Sequence, residues 1–105
     1  MGKKSQRKGY RGEHKLVKEL AKYGISAKRV PLSGRVEGFK GDIVLEINKE
    51  TKKAEVKVRQ EGFRKLYQWL NGNDFLFIRQ VSEKEKDKPY LVLMSLETFV
   101  KLIKQ

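Results

Sequence analysis

Apolar residues change their spacing along the chain, and each spacing predicts an element. Between Arg7 and Tyr23, Leu16, Leu20 and Tyr23 recur at helical steps with Val17 and Ala21 beside them, which predicts an amphipathic helix stopped by Gly24. GISAKRVPL predicts a short strand with Pro31 near its end, where a strand tolerates proline. SGRVEGFKG is glycine-rich and predicts a loop. DIVLEI, residues 42–47, alternates: Ile43, Leu45 and Ile47 share one face, and Asp42, Val44 and Glu46 the other. NKETKK then predicts a hairpin turn, and AEVKV, residues 54–58, the return strand, with Glu55 and Lys57 on one face.

The second half continues in kind. Phe63, Leu66, Tyr67 and Leu70 form the apolar stripe of a helix over Gln60–Asn71, which NGND breaks. DFLFIRQ is apolar on both faces and predicts a central or interfacial strand. EKEKDKP is a charged turn, YLVLMS a strand, and Ser95 is placed to cap a last helix, LETFVKLIKQ. The order αβββαββα predicts an α/β protein with a mixed central sheet flanked by helices. Residues 1–6 form a basic tail in this reading, and residues 7–105 a single domain.

Composition narrows the function. With 105 residues the chain can bury a core without staples, and with no cysteine it has neither a disulfide framework nor a thiolate metal site. The apolar runs are too short to span a bilayer, and the charged start has no apolar segment after it, so neither a membrane span nor a secretory signal is expected. The expected setting is intracellular. Charge is the dominant global feature: 25 Lys and Arg against 13 Asp and Glu give a net +12. Phosphate contacts that release condensed counterions make nucleic acid the expected partner. A membrane surface is disfavoured, because no basic helix carries bulky apolar anchors.

Charges inside the best strand-forming sequence carry the chemistry. Asp42 opens one strand, while Glu55 and Lys57 project together from the next. Two carboxylates on adjacent strands repel unless a cation joins them, and Mg²⁺ prefers oxygen ligands. A lysine beside them can orient a water or neutralise charge developing on a phosphate. Acid, acid, lysine and metal make a phosphodiester-cleaving site.

D-x(12)-E-x-K, with the acid ahead of a hairpin and E-V-K on the return strand, resembles the PD-(D/E)XK nuclease superfamily. RKGYRGE, residues 7–13, is similar to the opening of the first helix in archaeal-type Holliday-junction resolvases, which carry R-K-G, three residues and a glutamate. The resemblance covers nearly the whole chain and implies a restriction-endonuclease-like core. It implies Glu13 as an added metal ligand, with Asp42, Glu55 and Lys57 as the central triad. The carbonyl of Val56 would add a ligand. Mg²⁺ would be the cofactor, with Mn²⁺ able to substitute. Gly41 stands where the superfamily name expects proline. Ser33 is the candidate for the serine that the family's loop contributes to cleavage, in a loop here longer than usual.

The remaining basic residues are candidates for gripping DNA. Lys3, Lys4, Arg7, Lys8 and Arg11 form a run without an acid, suited to phosphate contact. Arg29, Arg35, Lys40, Arg59 and Arg64 are candidates to line the DNA face. Phe39 would anchor its loop, and His14 belongs to the helix surface. Trp69, Phe75, Phe77 and the YLVLM run supply either a two-sided core or a homodimer interface; the resemblance implies the dimer. The expected activity is cleavage of branched DNA, foremost the four-way junction. A superfamily nuclease acting on duplex DNA and a non-catalytic basic DNA-binding protein are the alternatives.

Overall fold

The computed structural model describes residues 3–30, 42–84 and 88–104, with the side chains of the first helix described from Gly12 onward. The elements run α1 (Lys3–Lys22), β1 (Ala27–Arg29), β2 (Ile43–Ile47), β3 (Glu50–Ala54), α2 (Arg64–Leu70), β4 (Leu76–Ile78), β5 (Leu91–Leu93) and α3 (Leu96–Ile103). They group into two compact units, Met1–Val58 and Arg59–Gln105.

In the first unit the apolar stripe of α1 does what its spacing predicts: Leu20 is buried, with Leu16 and Val17 half-buried. The helix starts at Lys3, inside the stretch expected to be a tail. It stops where Gly24 takes φ 80°, a left-handed conformation that glycine adopts without a Cβ clash. Gly24 N–H then donates to the Ala21 carbonyl and Ile25 N–H to that of Leu20, which satisfies carbonyls the helix end leaves over.

β2 is the central strand of an antiparallel sheet ordered β1-β2-β3. Its alternation is real: Ile43 and Leu45 are buried and join Leu20 and Ile25 in the core, while Val44 is half-buried and Glu46 exposed. Burying an aliphatic side chain of this size contributes about 1.5–3 kcal/mol, so these four positions anchor the unit.

The hairpin differs from the sequence expectation. The turn is not the whole of NKETKK; it is Asn48–Lys49, both at positive φ (51° and 68°), as a primed two-residue turn requires. Polar Glu50–Ala54 therefore forms β3, paired from Ile47↔Glu50 to Ile43↔Ala54. Among the described residues β3 is an edge strand with one neighbour, where lysines are at home because they discourage further pairing. AEVKV is accordingly not a strand beyond Ala54: Glu55, Val56, Lys57 and Val58 follow its end.

In the second unit α2 is shorter than the expected Gln60–Asn71. β4 and β5 pair antiparallel, Leu76↔Leu93 to Ile78↔Leu91. The strands thus form two antiparallel sheets, where the sequence led us to expect one mixed sheet; among the described residues every pairing joins strands adjacent in sequence. Neither face of β4 is fully buried, and Phe77 is 64 % exposed. Ser95 caps α3 as expected, its Oγ accepting from Thr98 N–H at 3.1 Å, and Val100 is the buried residue of that helix. No helix among the described residues is long and apolar enough to cross a membrane.

Candidate active site

Three distant stretches of the first unit meet around Asp42. The β2–β3 ladder ends at Ile43↔Ala54, and Asp42 continues it: its N–H donates to the Ala54 carbonyl at 2.9 Å, and its own carbonyl accepts from Val30 N–H at 3.0 Å. The Asp42 carboxylate then takes over from the backbone. Its Oδ2 accepts from Val56 N–H at 2.8 Å. A side chain thus satisfies a donor that a strand would have given to a carbonyl, which is why regular pairing stops at Ala54. It also fixes the acid beside the residue between Glu55 and Lys57.

Those two side chains pair with each other: Lys57 Nζ lies 3.7 Å from Glu55 Oε2, each about 60 % exposed (61 % and 60 %). An exposed pair of this length contributes little to stability, about 0–1 kcal/mol. Its consequence is placement, an amine and a carboxylate held together on accessible backbone.

α1 reaches the same segment through Gly12. A Cβ at that position would stand 2.8 Å from Val58 Cγ2 and 3.9 Å from Val56 Cγ1, so a bare Cα is needed for the helix to lie this close. Glu13 follows it directly. Its carboxylate is engaged by the guanidinium of Arg29, at the end of β1: Nε donates to Oε2 at 2.6 Å, with side chains 29 % and 15 % exposed for Arg29 and Glu13.

The donor chemistry around Asp42 suits a hard divalent cation, since carboxylates and a carbonyl are all oxygen ligands. Asp42, Glu55 and the Val56 carbonyl are the groups that would supply such oxygens, with the Glu55 carboxylate here paired to Lys57. Glu13 would have to leave Arg29 to join them. Among the described residues, no three acidic or histidine side chains are gathered as a ready metal cluster.

The other expected residues fall elsewhere. Arg29 faces an acid of its own chain, a partner that nothing in the local sequence signals. Arg59 lies over the Phe63 ring at 5.8 Å, and Arg64 is the exposed first residue of α2. His14 is exposed. The side chains of Lys3, Lys4, Arg7, Lys8 and Arg11 lie outside the described residues, as do Ser33, Arg35, Phe39 and Lys40 altogether. Sequence reasoning missed Gly12, although a glycine within a helical pattern is itself a sign of close packing.

Neither a curated protein nor a solved structure matches the chain. A family model does: that of the archaeal Holliday junction resolvase (hjc) matches residues 4–101. A match over nearly the full length, taking in α1, the Asp42 strand and the E-V-K segment, means that the chain belongs to the archaeal Holliday junction resolvase family.

Proposed function

We propose that the protein is a structure-selective endonuclease that resolves four-way DNA junctions by Mg²⁺-dependent phosphodiester hydrolysis. The observation that carries this reading is the Asp42–Val56 hydrogen bond, which ties the strand-opening acid to the middle of E-V-K in a chain of this family. Asp42, Glu55, the Val56 carbonyl and, once free of Arg29, Glu13 would hold the ion, which would polarise the phosphate and supply a nucleophilic hydroxide at neutral pH. Lys57 Nζ, steadied by Glu55, orients the attacking water and offsets charge developing on the phosphate. Ser33 assists from the loop. The basic residues grip phosphates, so recognition follows the shape of the junction more than its bases. The restriction-endonuclease-like core, the single nuclease domain over residues 7–105 and an intracellular site of action belong to the same proposal.

A junction has pseudo-two-fold symmetry and needs two cuts, which suits a two-fold dimer. An apolar groove of about 590 Å³ supports that assembly; Phe63, Leu66, Tyr67 and Leu70 line it from one side and Leu93, Met94 and Leu96 from the other. Tyr67, in its lining, is exposed, as is Trp69 on the same helix, and this is the surface we assign to the second copy.

A labelled four-way junction and a matched linear duplex, each with and without Mg²⁺, test the reading on a denaturing gel. Paired cuts in the junction, only with the ion, are expected. Equal cutting of the duplex would leave a nuclease without junction selectivity. Binding without cutting in either Mg²⁺ or Mn²⁺ would leave a DNA-binding module.

A further inference from the structure

Beside the Lys22–Glu19, Lys52–Glu50, Lys57–Glu55 and Lys101–Glu97 ion pairs, Arg29–Glu13 stands apart. It is the shortest at 2.6 Å, and its side chains are the least exposed; in the others every side chain is 41 % exposed or more. It joins α1 to the end of β1, in a register that puts Arg29 opposite Ile43, the residue next to Asp42. The N–H of the following residue, Val30, holds the Asp42 carbonyl. Glu13 in turn adjoins Gly12, which packs on the E-V-K segment. The guanidinium therefore sits on a carboxylate at the edge of the acid site.

A guanidinium and a divalent cation cannot both make full use of one carboxylate oxygen. Partial burial strengthens the existing pair relative to a surface one. Arginine has no proton to lose that would let Glu13 go, because it stays charged at any working pH. Glu13 must exchange one cation for another. A displaced guanidinium matches the geometry of a DNA phosphate, which it can grip in a bidentate manner.

We infer that Arg29 is the resident counter-ion of Glu13, and that transfer of Glu13 to a divalent ion is linked to transfer of Arg29 to a DNA phosphate. The inference rests on the metal site proposed above. Linkage is reciprocal, so metal and DNA each strengthen the binding of the other. The pair also leaves Glu13 neutralised before the ion arrives.

Mn²⁺ titration of the full chain without DNA, followed by electron paramagnetic resonance of the free ion, tests the exchange apart from activity. R29Q is expected to bind Mn²⁺ roughly fivefold more tightly than the parent or better, the lower end of ordinary coupling between sites. E13Q is expected to weaken Mn²⁺ binding. R29K, which keeps the charge without the planar fork, should fall between R29Q and the parent, and it serves if R29Q does not fold. In Ca²⁺, where binding is read without cleavage, the parent's junction affinity should rise with the ion; in R29Q that rise should shrink. If E13Q weakens Mn²⁺ binding while R29Q and R29K match the parent, the counter-ion role is overturned and the metal site survives. If E13Q and the parent bind alike, Glu13 is no ligand and the exchange falls with it. If the parent binds no Mn²⁺, the metal site itself fails.

Discussion

Asp42 holds Val56: the carboxylate Oδ2 accepts the Val56 N–H at 2.8 Å, and the strand-opening acid thereby positions the residue that separates Glu55 from Lys57. The side chain shapes the backbone, and in the proposed site it would also offer its second oxygen to an ion. The two can be separated by substitution. Asn keeps a neutral acceptor for Val56 N–H but loses the charge. D42N should abolish cleavage and keep junction binding, with folding stability close to that of the parent. D42A leaves the Val56 donor without its partner and should in addition cost about 1–3 kcal/mol in urea or thermal unfolding. Cleavage by D42N at a parental rate in the gel assay would remove Asp42 from the chemistry.

Gly12 sets how closely α1 lies on the segment after β3. A valine there would force its branched side chain into Val58, already 2.8 Å from the position of a Cβ. Overpacking of this kind costs about 1–3 kcal/mol, and the 70 % exposure of Val58 places the expected loss near the low end. G12V should lower both the melting temperature and the cleavage rate, and adding V58A should recover part of each. A double variant no better than G12V would mean that the two residues do not share the constraint.

The hairpin carries a removable strain. Lys49 sits at φ 68°, where a residue with a Cβ costs roughly 1–2 kcal/mol and glycine costs little. K49G creates the Asn-Gly pair that a primed turn favours, partly offset by the greater freedom of glycine in the unfolded chain. The expected outcome is a gain of up to about 1 kcal/mol in chemical denaturation, without change in cleavage. A loss of stability would argue against the two-residue turn.

Across from Leu45, Lys52 pairs with Glu50 two residues back on the edge strand, Nζ to Oε2 at 2.8 Å. That hydrogen bond and the lysine's charge hold the Glu50 carboxyl below its ordinary value of 4.5. A depressed carboxyl adds stability above its unfolded-state value and gives it up as pH falls through the folded one. The contribution of so exposed a group is small, so the useful readout is the titration itself. Carbon-detected NMR should place the Glu50 midpoint below that of an ordinary glutamate, and K52Q or high salt should move it back up. An unmoved midpoint in K52Q would mean that the pair does not persist in solution.

Much of this protein could be read from local pattern. The alternation of IVLEI gave β2 its buried face because apolar side chains at every second position leave one face to cover. The spacing of Leu16 and Leu20 did the same for α1, Gly24 supplied its stop, and Ser95 its cap for α3. The RKGYRGE, Asp42 and EVK stretches pointed to the resolvase family from sequence alone, because residue type and order survive without coordinates. The turn could not be read so well. NKETKK is polar throughout, and an edge strand with solvent on one side can be as polar as a loop. Only the left-handed backbone at Asn48 and Lys49 separates the two.

The pairings that define the acid site were settled in three dimensions. Arg29 meets Glu13 across β1 and α1, Val56 turns its N–H to Asp42 in place of a strand partner, and Gly12 admits Val58. Each joins residues far apart in the chain. Sequence determines which residue types are present and how neighbours along the chain alternate; which charge neutralises which depends on how closely a helix can lie against a sheet.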